Sequence, residues 1–297
     1  MVCIVGPTAV GKTNVAITLA QQFSTEIVSA DSRQFFKEMS IGTAKPSPAE
    51  LAAAPHHFIN SHSITEAFSV GDFEKSGLHL LEDLFKKHSI VFLAGGSGLY
   101  VQAISQGFDN LPKAPPELRA QLNEQLAKEG IEVLQKHLEA LDPTYYAEVD
   151  IYNTQRIIRA LEVCISTGQP FSTFRKHATN ERPFELLTIG LNTERSKLYD
   201  RINKRVDVMM EQGLLAEVEI LLPYRELNAL QTVGYQELFD YLEGKKSLEK
   251  AVEEIKQHTR NFAKRQLTWF RKNTETHWFE PLQLAEMTAL INKILKA

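Results

Sequence analysis

VCIVGPTAVGKT, residues 2–13, is a short apolar run followed at once by a glycine-rich loop. Residues 6–13 match the pattern G-x-x-x-x-G-K-[ST], and a helical pattern begins at Lys12. In such a loop the glycines let backbone N–H groups converge on phosphate oxygens, and the helix N-terminus adds positive charge. Lys12 supplies a further charge, and the Thr13 hydroxyl can hold Mg²⁺. The segment therefore predicts a phosphate-binding site behind the first strand.

Short apolar runs and helical patterns alternate after this loop. EIVSADS at 26–32, SIVFLAGG at 89–96 and ELLTIGL at 185–191 are predicted strands, and helices are predicted over 12–23 and 73–87. Strands that are separated by helices pair in parallel through crossover connections. The expected fold class is therefore α/β, with a P-loop NTPase-like parallel sheet core.

A stretch dominated by helical periodicity interrupts this core. It starts with LPKAPPELRAQL at 111–122, in which two adjacent prolines come just before the first helix. We expect a helical insertion domain at 113–183 and a core formed by 1–112 and 184–297. The part of the core that follows the returning strand is predicted to be helical.

The composition is that of a globular protein. Of 297 residues, 43% are hydrophobic and 24% are charged, and no run approaches the roughly 20 apolar residues needed to cross a bilayer. With no membrane span and no secretory signal, a cytoplasmic protein is expected. Cys3 and Cys164 are too few for a disulfide framework or a cysteine-rich zinc site. The net charge of -4 leaves nucleic-acid binding open, because such binding needs only a local basic face.

The acidic residue that usually completes a Mg²⁺ site in phosphoryl-transfer enzymes is missing from its expected place. SIVFLAGG ends in Gly95 and Gly96, and NKRVD at 203–207 has its aspartate one position too late for the guanine-reading N-K-x-D. A GTPase switch is therefore disfavoured. Asp31 instead follows the second predicted strand, at the edge where ligands bind in open α/β sheets. Its carboxylate can take a proton or cap a helix, and the Ser97 hydroxyl can face a ligand or cap the next helix.

Blocks of sequence in a characteristic order extend these observations over nearly the whole chain. They are GPTAVGKT (6–13), DSRQFFKEMSIGTAKP (31–46), AGGSGLYVQA (94–103), NTQRIIRALEV (153–163), GLLAEV (213–218), TVGYQE (232–237) and AKRQLTWFR (263–271). Together they resemble the tRNA dimethylallyltransferases, also called isopentenyl-diphosphate:tRNA transferases. The resemblance implies transfer of a dimethylallyl group from dimethylallyl diphosphate to N6 of adenosine 37, beside the tRNA anticodon. It also implies Mg²⁺ as cofactor and the tRNA anticodon stem-loop as partner.

The resemblance further implies roles for residues at the sheet edge. The loop would hold a diphosphate leaving group, which accounts for the missing acidic residue. Asp31 matches the family's general base, and Ser97 stands where many members carry threonine. Arg201 and Arg205 match arginines that clamp the diphosphate, with an exposed, salt-bridged helix face as the alternative. The expected diphosphate-binding residues are Gly6, Thr8, Ala9, Val10, Gly11, Lys12, Thr13, Arg201 and Arg205, with Thr13 as the metal ligand.

An adenine in an anticodon loop has to leave the base stack to reach this site, so tRNA contacts are expected around it. Gln231 and Gln236 stand where relatives often carry basic residues, and we expect weaker phosphate contacts there. The expected tRNA-binding residues are Asp31, Ser32, Arg33, Gln34, Ser97, Arg119, Gln155, Arg156, Ile157, Ile158, Arg159, Gly234, Lys264, Arg265 and Arg271.

The last long predicted helix, from Leu248 to about Lys272, combines a basic and an apolar pattern. Its basic residues Lys256, Arg260 and Lys264 have fourfold spacing, which is suited to tracking phosphates or to forming a solvated face. Its apolar residues Ile255, Phe262 and Trp269 recur every seven positions and are expected to form a packed face.

Three rival functions would also use a phosphate loop or a basic face. A small-molecule kinase would need a magnesium aspartate at a strand end, and a prenyltransferase acting on free AMP would not need the helical insertion and the basic helix. A non-catalytic RNA-binding module would not need to retain Lys12, Asp31 and the Ser97 hydroxyl. A monomer is expected.

Three histidines near the start of the chain, His56, His57 and His62, invite a metal-binding interpretation. No carboxylate or cysteine has a suitable helical spacing to them, so a structural role is favoured. The segment APHHFIN at 54–60 is predicted to be a loop.

Overall fold

The chain forms two units in the computed structural model, which describes residues 1–109, 111–175 and 181–296. The first unit consists of Met1–Ser105 together with Arg182–Ala297, and the second consists of Gln106–Glu181. The sequence-based boundaries for the helical insertion were 113 and 183. Among the described residues, no helix is both long and apolar enough to span a membrane.

A parallel sheet organises the first unit. Its strands in the described residues are β1 (Val2–Val5), β2 (Ile27–Ser29), β3 (His56–His57), β4 (Phe92–Gly95), β5 (Leu187–Leu191) and β6 (His277–Phe279), in the order β3-β2-β4-β1-β5-β6. Each neighbouring pair runs in parallel, and β1 lies between β4 and β5. The predicted α/β class with a parallel sheet core is confirmed.

Helices cover both faces of this sheet. The helices of the first unit are α1 (Lys12–Gln22), α2 (Pro48–Ala53), α3 (Val70–Phe85), α4 (Gly98–Ser105), α9 (Arg195–Glu211), α10 (Leu214–Leu221), α11 (Gln236–Leu242), α12 (Leu248–Phe270) and α13 (Leu284–Leu295). On β1, Ile4 packs into a core cluster that includes residues of α1 and α13, whereas Cys3 and Val5 face a cluster that includes residues of α3 and α4. This burial on both faces explains why the strand is a continuous apolar run.

The second unit is helical in its described part. Its helices are α5 (Pro116–Glu129), α6 (Ile131–Leu141), α7 (Pro143–Glu148) and α8 (Thr154–Thr167), followed by a short 3-10 helix at Phe171–Phe174. Leu134, Leu138, Ile157 and Leu161 are fully buried in its core, together with further apolar residues of the same helices.

Several elements differ from the sequence-based prediction. The predicted loop at 54–60 contains strand β3, because His56 and His57 pair with Ile27 and Val28 of β2. Helix α3 begins at Val70, three residues before the predicted start. Ser69 sets this start through a capping box, since its side chain and that of Asp72 each accept from the backbone N–H of the other. Strand β6 was not predicted.

Candidate active site

A cavity of about 440 Å³ lies in the first unit beside the carboxyl ends of β1, β2 and β4. Segments that directly follow these strands contribute Thr8, Asp31 and Ser97 to its wall, and helices α9 and α12 contribute further residues. Ligands of open parallel sheets bind at this edge, because loops there bring polar groups from several strands together. The cavity is therefore the candidate active site.

The phosphate loop folds tightly between β1 and α1. Gly6 has a φ of 148°, and a Cβ on it would lie 2.5 Å from the carbonyl oxygen of Leu191 on β5. Only glycine fits this close approach. Lys12 Nζ donates to the carbonyl oxygens of Gly6 at 3.1 Å and of Pro7 at 2.8 Å, which places its ammonium group inside the curve of the loop. Desolvation there lowers the pKa of Lys12 to about 8.

Both arginines predicted on the long helix α9 reach this loop. Arg205 donates from one guanidinium nitrogen to the Thr8 hydroxyl, and Arg201 donates to the carbonyl oxygen of Val10 at 3.2 Å. Burial lowers the pKa of Arg205, although the guanidinium group stays charged, and the nearby Asp31 opposes that shift. The structure thus brings together Thr8, Val10, Arg201 and Arg205. It excludes a solvated helix face for Arg205, whereas the Arg201 side chain stays exposed while it contacts the loop.

Asp31 lies in a turn after β2 rather than at the start of a helix. Its Oδ1 accepts a hydrogen bond from the Arg33 N–H at 3.1 Å, and residues 32–35 continue as turns. The helix-cap alternative therefore does not apply. Asp31 lines the cavity close enough to Lys12 and Arg205 to raise the pKa of both against the effect of their burial. A carboxylate among cations in a cavity can accept a proton from a bound substrate.

The Ser97 hydroxyl connects the ends of β4 and β2. Its Oγ accepts from the Ser32 N–H at 3.0 Å and donates to the Ser32 Oγ at 3.2 Å. The start of α4 is supported instead by the Ser97 carbonyl oxygen, which accepts from the N–H of Val101 at 3.0 Å. The hydroxyl thus supports the turn at Asp31, and Ser32, Arg33 and Ser97 all line the cavity.

Gln34 is already hydrogen-bonded within the chain. Its Nε2 donates to the carbonyl oxygens of Thr43 at 3.2 Å and of Ala44 at 3.1 Å. The amide nitrogen is therefore committed to holding a loop of this chain. A contact between Gln34 and tRNA stays a prediction.

Helix α12 does not present all its basic residues to solvent. Lys256 forms ion pairs with Asp207 at 2.8 Å and Glu253 at 3.1 Å, and Arg260 donates to Asn203 Oδ1 at 2.6 Å. Since Asp207 and Asn203 belong to α9, these two cations join the two helices, and phosphate contacts through them stay a prediction. The side chains that remain exposed on this helix and just after it include Lys264, Arg265 and Arg271.

The seven-residue apolar repeat of α12 faces the cavity. Ile255 is 2% exposed, but Phe262 and Trp269 are 39% and 37% exposed, and all three line the cavity. The prediction that these three residues form a packed face is thus correct for Ile255 and wrong for Phe262 and Trp269. The buried positions of the helix are Ala251, Ile255, Ala263, Gln266 and Phe270.

Gln266 belongs to the site although no sequence motif assigned it a role. Its Oε1 accepts from the Thr8 N–H at 2.7 Å, and its Nε2 donates to the Gly96 carbonyl oxygen at 2.9 Å. The side chain is 6% exposed. A glutamine on the buried face of a helix is a signal that could have identified it, because a buried polar side chain needs partners.

In the second unit, Glu162 is a buried carboxylate between two arginines. It accepts from Arg119 at 3.2 Å and from Arg159 at 3.3 Å, and Arg119 also donates to Gln155 Oε1 at 2.7 Å. Gln155, Arg156 and Arg159 line a concavity of about 440 Å³ together with Arg175. The structure thus groups four of the predicted residues, Arg119, Gln155, Arg156 and Arg159.

Ile157 and Ile158 stand apart from that group. Both side chains are 0% exposed in the core of the second unit, so they anchor the helix and offer no surface to tRNA. The expectation of direct contact through these two side chains is corrected for this reason.

The segment around Gly234 closes another side of the cavity. Gly234 has a φ of 97° and lines the cavity, and its N–H donates to Glu237 Oε2 at 2.8 Å. Gln231 and Gln236 contact each other, since Gln236 Nε2 donates to Gln231 Oε1 at 2.6 Å.

The three histidines take part in structural contacts. His56 lies 2.7 Å from the Ala54 carbonyl oxygen, and His57 lies 2.6 Å from Glu26 Oε2. His62 stacks on Phe68 with 3.8 Å between ring centroids. Within the described ranges, no group of three or more His, Cys, Asp or Glu side chains is arranged to hold a metal ion.

A parallel sheet with a G-x-x-x-x-G-K-[ST] loop between its central strand and the first helix defines a P-loop type α/β protein. The two arginines of α9 that contact this loop can hold an anion, and the carboxylate of Asp31 after β2 can accept a proton. The chain belongs to the IPP transferase family, whose sequence model matches residues 34–273.

Curated relatives and solved structures agree with this assignment. The chain is 57% identical over 280 residues to a tRNA dimethylallyltransferase of Christiangramia forsetii, covering 94% of this chain and 93% of the relative. It is 53% identical over 286 residues to one of Flavobacterium johnsoniae, with the same coverage. The full-length tRNA isopentenylpyrophosphate transferase from Bacillus halodurans superposes with a TM-score of 0.73 at 37% identity, over 99% of this chain and 96% of that one. A eukaryotic dimethylallyltransferase acting on tRNA superposes with a TM-score of 0.78 at 27% identity, over 96% of this chain and 74% of that one.

Proposed function

We propose that this protein transfers a dimethylallyl group from dimethylallyl diphosphate to N6 of adenosine 37 in tRNA. The observation that carries the proposal is the shared cavity, which joins the carboxylate of Asp31 to a phosphate loop that Arg205 contacts. A base and an anion-binding loop on one cavity are what a substitution at carbon needs when a diphosphate departs.

The acceptor side of the reaction relies on Asp31. The N6 amine of adenine is a weak nucleophile, because its lone pair is delocalised into the ring. As the nitrogen forms its bond to the allylic carbon, it must lose a proton, and the Asp31 carboxylate accepts it. Ser97 supports this step by holding Ser32, the residue after the base, through two hydrogen bonds.

The donor side relies on the phosphate loop. The bond between the allylic carbon and the diphosphate oxygen breaks, and the electron pair leaves with pyrophosphate. Lys12 and Arg205 stabilise the charge that develops there, since both lie against the loop and outside bulk water. The protein moves no γ-phosphoryl group, so an acidic residue at the end of β4 is not needed.

Mg²⁺ fits this donor set. The Thr13 hydroxyl lies in the first turn of α1, and Mg²⁺ commonly combines one or two protein oxygens with substrate phosphates and water. Thr13 would hold the ion, which when bound neutralises charge on the departing pyrophosphate.

The apolar part of the cavity suits the prenyl chain. Val206, Met209, Leu214 and Val233 line it in addition to the aromatic residues of α12. An apolar wall favours a hydrocarbon chain and excludes water, which would otherwise compete with adenine as the nucleophile.

The cationic surfaces support a macromolecular acceptor. Lys264 and Arg265 are exposed on α12, where Arg265 also lines the cavity. In the second unit, Arg156 and Arg159 share a concavity with Arg175. Phosphates of an RNA loop match such cationic surfaces, whereas a mononucleotide acceptor would not need them.

A label-transfer assay tests the proposal. The protein is incubated with labelled dimethylallyl diphosphate, Mg²⁺ and unmodified tRNA, AMP or ATP in parallel. We expect label on tRNA at adenosine 37 with release of pyrophosphate, and none on a control tRNA carrying guanosine there. Label on AMP alone, or consumption of ATP without tRNA modification, would contradict the proposal.

A further inference from the structure

One carboxylate of helix α10 holds a loop that forms part of the cavity wall. Glu217 Oε2 accepts from the N–H of Ser40 at 3.0 Å and of Ile41 at 2.8 Å, and Oε1 accepts from the N–H of Gly42 at 3.0 Å. Hydrogen bonds from backbone N–H groups to a carboxylate are stronger than those to neutral acceptors. Three consecutive peptide groups of the loop 40–44 are thereby fixed to α10.

Tyr235 supports the same carboxylate and packs against the same loop. Its hydroxyl donates to Glu217 Oε1 at 2.6 Å, and its side chain is 0% exposed. Burial and the neighbouring carboxylate raise the pKa of Tyr235, so it stays a donor. A Cβ on Gly42 would lie 2.6 Å from the Tyr235 ring, so only glycine allows this approach.

The loop in turn is bonded to the segment that carries Asp31. Gln34 Nε2 donates to the carbonyl oxygens of Thr43 and Ala44, so the loop receives support from α10 on one side and from Gln34 on the other. Gln34 lies three residues after Asp31, in the same run of turns. Gly42, Thr43 and Ala44 line the cavity that Asp31 lines.

A lysine ties together the two ends of this segment. Lys45 Nζ donates to the carbonyl oxygen of Phe36 and to Asn60 Oδ1, and Glu217 and Glu38 are close enough to raise its pKa against burial. Residues 33–45 therefore form one framework, with Glu217 as the acceptor for three of its N–H groups.

We propose that Glu217 is a positioning residue for prenyl transfer. It holds the loop 40–44, and through Gln34 it fixes the turn from which Asp31 accepts the proton of the adenine amine. The expected effect of Glu217 on the rate of prenyl transfer rests on the proposed function. Its effect on the turn that carries Asp31 does not depend on that function.

The test compares Glu217→Gln with Glu219→Gln, since Glu219 is an exposed glutamate on the same helix. The amide nitrogen that Glu217→Gln introduces cannot accept, so at least one N–H of the loop loses its partner. We expect hydrogen–deuterium exchange in residues 31–45 to rise by about tenfold or more, with exchange in residues 6–13 unchanged. The single-turnover rate with saturating tRNA should fall by about 10- to 100-fold, while the Kd for pyrophosphate stays within about twofold. Glu219→Gln should match the unmodified protein.

Tyr235→Phe keeps the ring on Gly42 and removes only its hydroxyl, so it covers the case in which Glu217→Gln does not fold. It should produce a smaller change of the same kind in exchange and in rate. Unchanged exchange in residues 31–45 in both variants would overturn the inference. So would a lower Tm with an unchanged single-turnover rate, since that is the result of a purely structural role. Absence of tRNA labelling by the unmodified protein would refute the proposed function, and the exchange comparison would still decide whether Glu217 fixes the turn.

Discussion

The side chain of Gln266 accepts a hydrogen bond from the backbone N–H of Thr8 at 2.7 Å. Helix α12 thereby contacts the phosphate loop directly. Gln266 also donates to the carbonyl oxygen of Gly96, and it directly follows Arg265, which lines the cavity. The helix whose exposed cations are proposed to contact RNA thus also supports the loop proposed to hold the diphosphate.

Replacing Gln266 should damage the phosphate loop. Gln266→Leu leaves the Thr8 N–H and the Gly96 carbonyl oxygen without their partner, at a cost of about 1–3 kcal/mol for each buried group. We expect a lower Tm and weaker pyrophosphate binding by calorimetry. Gln257→Leu on the exposed part of the same helix serves as the control. Wild-type values of both Tm and Kd in Gln266→Leu would show that the two hydrogen bonds do not support the loop.

Two substitutions of Asp31 separate its chemical role from its place in the turn. Asp31→Asn keeps an oxygen that can accept from the Arg33 N–H, whereas Asp31→Ala removes it. Loss of a general base costs about 10²- to 10⁴-fold in rate, so both variants should be slow in single-turnover assays while tRNA binding is retained. If Asp31→Asn is nearly as fast as the unmodified protein, Asp31 only shapes the turn.

The exposed cations of α12 should control the salt dependence of tRNA binding. Replacing Lys264 and Arg265 with glutamine should weaken binding and reduce the slope of log K against log salt by about 0.7–0.9 for each lost phosphate contact. The Kd for pyrophosphate should stay unchanged. The control replaces Lys293 and Lys296, which are exposed on or beside α13. Equal slopes for both double variants would contradict a specific role for α12.

Binding of pyrophosphate should take up a proton above pH 8. The pKa of Lys12 is lowered from 10.5 to about 8, so the free protein loses this charge as the pH rises through 8, and an anion in the loop restores it. Because the free protein loses the Lys12 charge, its affinity for pyrophosphate should fall by up to about tenfold per pH unit above 8. The unfolded chain keeps the same proton up to about pH 10.5, so the destabilising effect of burying a charged Lys12 declines between pH 8 and 10.5.

Calorimetry in buffers with different ionisation enthalpies measures this proton uptake. Lys12→Arg is the matched control, because arginine stays charged and the titration of the ligand itself is common to both proteins. An equal proton uptake in the two proteins would assign the effect to another group.

Local signals in the sequence were enough for the phosphate loop and the type of fold. The loop pattern lies between an apolar strand and a helix, and all three are encoded by contiguous residues. Even the true start of α3 was encoded locally, as Ser69 and Asp72 of a capping box. Strands β3 and β6 were missed because two or three residues carry no periodicity, and neighbouring strands decide their state.

Roles that depend on distant partners were not accessible in the same way. The spacing of Lys256 and Arg260 places them on one side of α12, but only the fold shows that α9 lies there with Asp207 and Asn203. Glu217 was part of a recognised block, yet its bonds go to residues about 175 positions earlier in the chain. Helical periodicity predicts on which side of a helix a side chain lies, but it does not predict which residues of other elements that side chain contacts.

The position of β1 between β4 and β5 has a consequence for how the chain is made. β1 is synthesised before β5, with which it pairs through Val2 and Leu187, so the ribosome must add the whole second unit before these two strands can pair. Pairing of such distant segments is slow and leaves a strand edge open in the meantime. Newly made chains should therefore need protection from aggregation until residue 191 and the helices after it have emerged.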